Sequence, residues 1–267
     1  MPFDFRRIQG PEDSESYHQF VKTGKKVKTK LLDNSGVRAD QRNANAMRKI
    51  YLKTGVVSQA KGSAYLEMGD TKILCSVFDP REKPRGAEHN LRGDIYCEFK
   101  FASFSSRRRK SHMLDTEDKE YIDVHILVIQ DDGSTLAAAI TCAGLALADA
   151  AVPMYDLVVG TTKAICGSSE VMDPTAKEET CALQGLAPGE DHGVATIALL
   201  PTFSQVAQLV HVGDIDPARL ETCLSQLVTA GSDVHQAVQL TLTSAVKHQL
   251  KLQKNVQDKE ITDNGCT

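Results

Sequence analysis

The stretch Gly62-Ser63-Ala64-Tyr65-Leu66-Glu67-Met68-Gly69-Asp70-Thr71-Lys72-Ile73-Leu74-Cys75 decides the fold class. Two β-rich runs, residues 64–67 and 72–77, flank Met68-Gly69-Asp70-Thr71, and a Gly-Asp pair between such runs predicts a β-hairpin. Working outward, further strands are expected at 95–101 and 124–129. After Asp131-Asp132-Gly133 the chain reads Ser134-Thr135-Leu136-Ala137-Ala138-Ala139-Ile140 and continues through Leu145 and Leu147 to Ala151. This is an alanine-rich helix that Ser134 or Thr135 can cap, and its small residues allow it to lie close against a sheet.

Strands are expected again at 155–160 and 194–200, the latter preceded by a Gly/Pro/Glu-containing loop at 184–193. Asp216-Pro217 then opens a long helix, with Leu220, Leu224, Leu227, Val228, Val234, Val238, Leu242 and Val246 at helical spacing. Gly231 is placed to break or kink it. Strands, a helix, strands and a helix make an α/β chain of mixed α+β layers. The window containing Lys22, Lys25, Lys26, Lys28 and Lys30 lacks periodicity, so residues 1–35 read as a flexible basic tail. One domain is expected over 36–250, followed by a polar tail, 251–267, that frays.

Composition narrows the function classes. Hydrophobic residues at 41% and charged residues at 25% are those of an ordinary globular protein, and a core of 267 residues needs no metal or disulfide staple. The net charge of -4 means that nucleic acid would be met by a local basic patch rather than by the global field. Seven cysteines, none in a CxxC pair, fit a reducing compartment and give no zinc spacing. Residues 1–10 hold Asp4, Arg6 and Arg7 without an apolar run, and no segment has the ~20 apolar residues of a membrane span. Residence in the cytosol or nucleus is expected, with no membrane partner and no cofactor.

Three segments in this order, the first in two parts, resemble the RNase PH family of phosphate-dependent 3′-to-5′ exoribonucleases and their ring-forming relatives. Gly36-Val37-Arg38-Ala39-Asp40-Gln41-Arg42 is similar to the family's R-x-D-x-R entry, and the Gly62–Cys75 hairpin to its G-S and G-D-T-K turn. Gln130-Asp131-Asp132-Gly133-Ser134-Thr135-Leu136-Ala137-Ala138-Ala139-Ile140 resembles the D-G-G-T-R-x-A-A-I helix start, and Met154 to Gly160 the strand after it. The resemblance spans roughly residues 36 to 248 and implies an RNase PH-like fold with a ribosomal-protein-like β-α-β core.

Phosphorolysis brings an orthophosphate beside a phosphodiester, and only cations and oriented N–H donors can hold two anions together. The family's bidentate arginine immediately after its glycine-threonine or glycine-serine pair does this. Here Leu136 takes that place, so Gly133, Ser134, Thr135 and Leu136 read as a degenerate phosphate site, and no catalytic or metal-binding residue is assigned. Asp173, Glu178 and Glu179 partly match the family's acidic set, and Asp191 is a displaced candidate for its downstream aspartate. Arg107, Arg108, Arg109 and Lys110 are the candidate RNA contacts through phosphates. Phe101 and Phe104 beside them could stack on bases, although core packing is expected of at least one.

The family's long helix before the strand at 124–129 has no counterpart, because only residues 111–121 make the connection. A neighbouring apolar face should then be uncovered, with poor solubility as its consequence. The resemblance implies a non-catalytic ring subunit of an RNA exosome. Its implied partners are other RNase PH-like ring subunits, exosome cap proteins and single-stranded RNA. An active phosphate-dependent exoribonuclease using a substitute arginine and a stand-alone RNA-binding module remain open.

Overall fold

The computed structural model describes residues 31–32, 38–79, 94–106, 121–183 and 191–264. The basic tail before Leu31, the cluster 107–110, the short connection 111–120 and residues 184–190 of the loop lie outside them.

The deciding hairpin forms as β2 (Gly62–Met68) and β3 (Thr71–Phe78), in register from Gly62 opposite Val77 to Met68 opposite Thr71. Only Gly69 and Asp70 are left for the turn, and Gly69 takes a positive φ of 59° at no Cβ cost. Around the hairpin a five-stranded sheet has the order β1-β2-β3-β5-β4, with β1 at Ile50–Thr54, β4 at Asp94–Phe101 and β5 at Tyr121–Gln130. β4 and β5 are parallel, so the chain crosses over between them through residues 102–120. A second, antiparallel sheet has the order β7-β6-β8-β9, with β6 at Val159–Cys166, β7 at Ser169–Met172, β8 at His192–Leu200 and β9 at Gln205–Asp214.

Helix α1 (Thr135–Asp149) lies between the sheets and packs on β2 and β3 of one and β6 of the other. Ala64, Leu66, Ile73, Cys75, Val77, Val124, Ile126 and Val128 from the first sheet meet Ala138, Ala139, Cys142, Leu145 and Ala146 of α1 in the main core. Each large aliphatic side chain buried there contributes about 1.5–3 kcal/mol. On the other side a Cβ on Gly160 would stand 2.4 Å from the carbonyl oxygen of Ala137, so glycine in β6 sets how closely α1 approaches. The alanine-rich reading of α1 is thus the reading of a helix covered on two sides.

Helix α2 (Ala176–Leu183) follows β7, and α3 (Pro217–Asn264) covers β6 from the face opposite α2. α3 runs unbroken for 48 residues, past the boundary at 251. Gly231 does not break it. A Cβ at Gly231 would stand 2.6 Å from Cδ2 of Leu199, so the glycine marks where the helix presses on β8.

The strand expected at 155–160 begins only at Val159, and Tyr155 is 98% exposed. The Asp156 carboxylate accepts from the N–H groups of Leu157 and Thr202, which holds this segment in a turn, while β pairing continues through the β-branched run to Cys166. Cys97, Phe99 and Phe101 of β4 stand beside buried Val124, Ile126 and Val128, yet Ile95 is 59% exposed and Cys97 and Phe99 also meet solvent.

Candidate functional site

The α1 N-terminus is where the sequence motifs converge. Gly133, with φ 82°, and Ser134, with φ 52°, are both left-handed, which turns the chain sharply from β5 into the helix. Ser134 occupies the cap position, but its side chain does not cap. Its Oγ donates instead to the Pro174 carbonyl at 3.2 Å. The backbone N–H of Ser134 donates to Oε1 of Glu179 at 2.6 Å, and the Thr135 hydroxyl donates to Asp131. Two donors at the helix start, the Ser134 N–H and the Thr135 hydroxyl, are therefore taken by the protein's own carboxylates. Leu136 follows with its side chain 41% exposed, so an apolar group faces solvent where a cation would be needed.

Beneath this surface lies a buried ion network. The Arg48 guanidinium holds Asp173 bidentately, Nη2 to Oδ1 at 2.7 Å and Nε to Oδ2 at 2.8 Å, and also donates to the carbonyls of Asp132 and Gly133. Arg38 donates through Nε to Oε1 of Glu178 at 2.8 Å, through Nη2 to Oε2, and to the carbonyls of Met172 and Asp173. Arg42 bridges Asp40 and Asp173, with Nε 2.5 Å from Oδ2 of Asp40 and Nη1 3.2 Å from Oδ2 of Asp173. Asp173 itself has φ 50°, a left-handed conformation that costs about 1–3 kcal/mol in a residue other than glycine and is over-determined here by these partners.

Burial by itself would raise the Asp173 carboxyl, but the hydrogen bonds and charge of Arg48 outweigh it and hold it below the usual carboxylate range. Burial pushes Asp132 up against the pull of the same arginine, with Asp70 and Asp131 adding to the rise. The three guanidiniums are each engaged, and Asp131, Asp132, Asp173, Glu178 and Glu179 surround the helix start. A further anion would meet repulsion there rather than neutralisation.

The structure thus brings together Arg38, Arg42, Asp173, Glu178, Glu179 and Gly133 through Leu136, all of which the sequence singles out. It separates Asp191 from them. That residue sits beside the β6–β7 turn, where its carbonyl accepts from the Gly167 N–H at 2.8 Å and its carboxylate from Arg219 at 3.0 Å. Phe101 packs against the main core, whereas Phe104 is exposed. Arg107, Arg108, Arg109 and Lys110 lie outside the described residues.

Arg48 was not among the residues singled out, although it is the hub of the network. Its signal is parity: Arg48, Ile50 and Leu52 alternate toward the core, so an arginine stands at an inward position of an amphipathic strand start. A charged residue there needs a buried partner.

The model of domain 1 of the 3′ exoribonuclease family (RNase PH) matches residues 46–120 and 109–153, two stretches that overlap at 109–120. The human exosome complex component MTR3 is 35% identical over 250 residues, covering 80% of this chain and 85% of the relative. Human exosome complex component RRP41 is 32% identical over 230 residues, covering 77% and 90%. Among solved structures, rice Rrp46 superposes with a TM-score of 0.64 at 21% identity, over 77% of this chain and all of that one. A chain of the Archaeoglobus fulgidus exosome with RNA bound to the active site superposes with a TM-score of 0.59 at 18% identity, over 76% and 93%. By sequence and by fold, this chain belongs to the RNase PH-like 3′ exoribonuclease family, of which exosome complex components are members.

Proposed function

We propose that this chain is a non-catalytic ring subunit of an exosome-type assembly. It would support 3′-to-5′ RNA processing and degradation, including rRNA maturation and mRNA turnover, that associated nucleases carry out in nucleus, nucleolus and cytoplasm. The observation that carries the non-catalytic part is the Ser134 N–H donated to Glu179, with Leu136 beside it. The place suited to orthophosphate is closed by a carboxylate and lacks its cation. The nucleic-acid contacts of such a subunit would position RNA rather than cut it, with Arg107 to Lys110 as candidate phosphate contacts.

Membership of a hetero-oligomeric ring has its own support. β9 is the edge of its sheet, and all ten of its residues are exposed. Val206, Leu209, Val210 and Val212 lie along it. A long apolar edge of this kind templates pairing with another chain, and burying it in a permanent interface removes that hazard. Other RNase PH-like subunits are the natural neighbours, with cap proteins on the ring.

The catalytic question is decided by incubating the purified chain with an oligoribonucleotide and orthophosphate. No nucleoside diphosphate is expected. Phosphate-dependent release of nucleoside diphosphates would make the chain an active exoribonuclease and overturn the reading.

A further inference from the structure

The residues of β1 divide cleanly between two environments. Ile50, Leu52 and Thr54 turn inward, while Tyr51 and Lys53 are exposed, and Lys49 shares their parity and their exposure. Register carries this outer face across the sheet. Lys53 stands beside Tyr65, Tyr65 beside Leu74, Leu74 beside Leu127, and Leu127 beside Lys100, one row across all five strands, about 19 Å wide at the usual strand spacing. In the next row Tyr51 stands beside Glu67 and Glu67 beside Lys72.

The two tyrosines form an edge-on pair with ring centroids 6.4 Å apart, and Tyr51 is 54% exposed. The Tyr65 hydroxyl donates to Glu67 at 3.2 Å, and Lys72 stands 4.0 Å from the same carboxylate. Lys49 and Lys53 form no ion pair among the described residues. Toward the far edge Lys100 is paired with Glu98, so the uncompensated positive charge lies at the β1 corner.

On this placement, and resting on the reading of an RNA-handling subunit, we propose that the outer face of β1–β3 is a binding surface for single-stranded RNA. Tyr51 and Tyr65 would stack bases, and Lys49, Lys53 and Lys72 would hold phosphates. An exposed Tyr51 and a half-buried Tyr65 beside the unpaired Lys49 and Lys53 make an arrangement that accepts single strands, because every base has a face to stack and every linkage a charge to neutralise. In a chain of net charge -4, a local surplus of lysine beside aromatics is complementary to phosphate. Protein interface cores, by contrast, are depleted in lysine.

The test is a titration of fluorescent oligouridylate, over a range of salt, into the isolated chain and into the assembly that contains it. Wild type is compared with Tyr51→Ala and with the double variant Lys49→Gln, Lys53→Gln. These side chains are exposed, so unchanged melting curves should show that both variants fold. Tyr51→Ala is expected to weaken binding roughly fivefold to a hundredfold. The double variant should flatten the dependence of log K on log salt by about 1.4, at ~0.7 for each phosphate left without its lysine. Unchanged affinity and slope in both preparations would overturn the surface while leaving ring membership intact. Binding in the isolated chain that vanishes on assembly, with Tyr51 and Lys53 then shielded from chemical modification, would make the face a protein contact and equally overturn it. Failure to recover any assembly would count against the ring reading alone, because the isolated chain still reports on the surface.

Discussion

Oε1 of Glu179 accepts the backbone N–H of Ser134 at 2.6 Å, so a carboxylate of α2 stands at the N-terminus of α1. Negative charge is favoured at a helix start, and the protein has filled that place from within. Placing a cation at position 136 alone should therefore not create an anion site. We expect orthophosphate to leave the melting temperature of wild type and of Leu136→Arg unchanged. The double variant Leu136→Arg, Glu179→Gln should be stabilised as phosphate is raised, following the linkage of a ligand that binds only the folded state. A phosphate-dependent rise in wild type would contradict the closed-site account.

The Asp173 carboxylate joins Arg42 and Arg48 below the helix start. Replacing Asp173 with alanine removes the bidentate partner of the buried Arg48 guanidinium and leaves it Asp132, 3.8 Å away, as counter-charge. The expected cost is about 3–5 kcal/mol, read by denaturant unfolding. A loss under ~1 kcal/mol would show that the network is dispensable.

The same carboxylate gives the stability a definite pH dependence. Its folded pKa lies below its unfolded value, so the unfolded chain takes up this proton first as pH falls. The contribution is fully present above the ordinary aspartate value of ~3.9 and disappears as pH drops through the depressed folded value. Wild type should lose stability more steeply below about pH 4 than Asp173→Asn does, with the two curves converging in acid. Parallel acid limbs would rule this group out.

Two glycines make opposite predictions. Alanine at Gly160 would put its Cβ 2.4 Å from the backbone oxygen of Ala137, which cannot step aside without moving α1, and a cost of about 3 kcal/mol is expected. Alanine at Gly231 meets only the end of the Leu199 side chain, and the helix gains about 1 kcal/mol of propensity, so the change should be within about 1 kcal/mol of neutral. Thermal unfolding of the two variants separates these cases.

The edge strand β9 gives a prediction about assembly rather than folding. Val210→Lys places a charge on an exposed position of the free edge, so monomer stability should move by no more than about 0.5 kcal/mol. Recovery of partner chains with the tagged variant should fall sharply, since an inserted lysine blunts edge pairing.

How far the sequence carried the fold follows from where periodicity was audible. The hairpin, β5, α1 and α3 bury one face or more against regular neighbours, and their patterns of apolar residues say so. β9 does not, because Val206, Leu209, Val210 and Val212 break alternation on a strand that buries neither face. β7 and α2 are only four and eight residues long, too short for a pattern to emerge. At the site, Leu136 stood out where the resemblance expects an arginine, and the acidic residues 173, 178 and 179 were visible as a set. That Glu179 reaches back to Ser134, and that Arg48 anchors Asp173, depends on contacts between residues 45 and 125 positions apart, which no local pattern encodes.

The central claim is that this chain works as a subunit among related chains. The most direct measurement is to tag it, purify it from cells, determine the mass of the complexes recovered and identify the proteins in them. The account predicts a stable assembly containing several different RNase PH-like chains. Recovery of the chain only as a monomer, or as a homo-oligomer of itself, would contradict it.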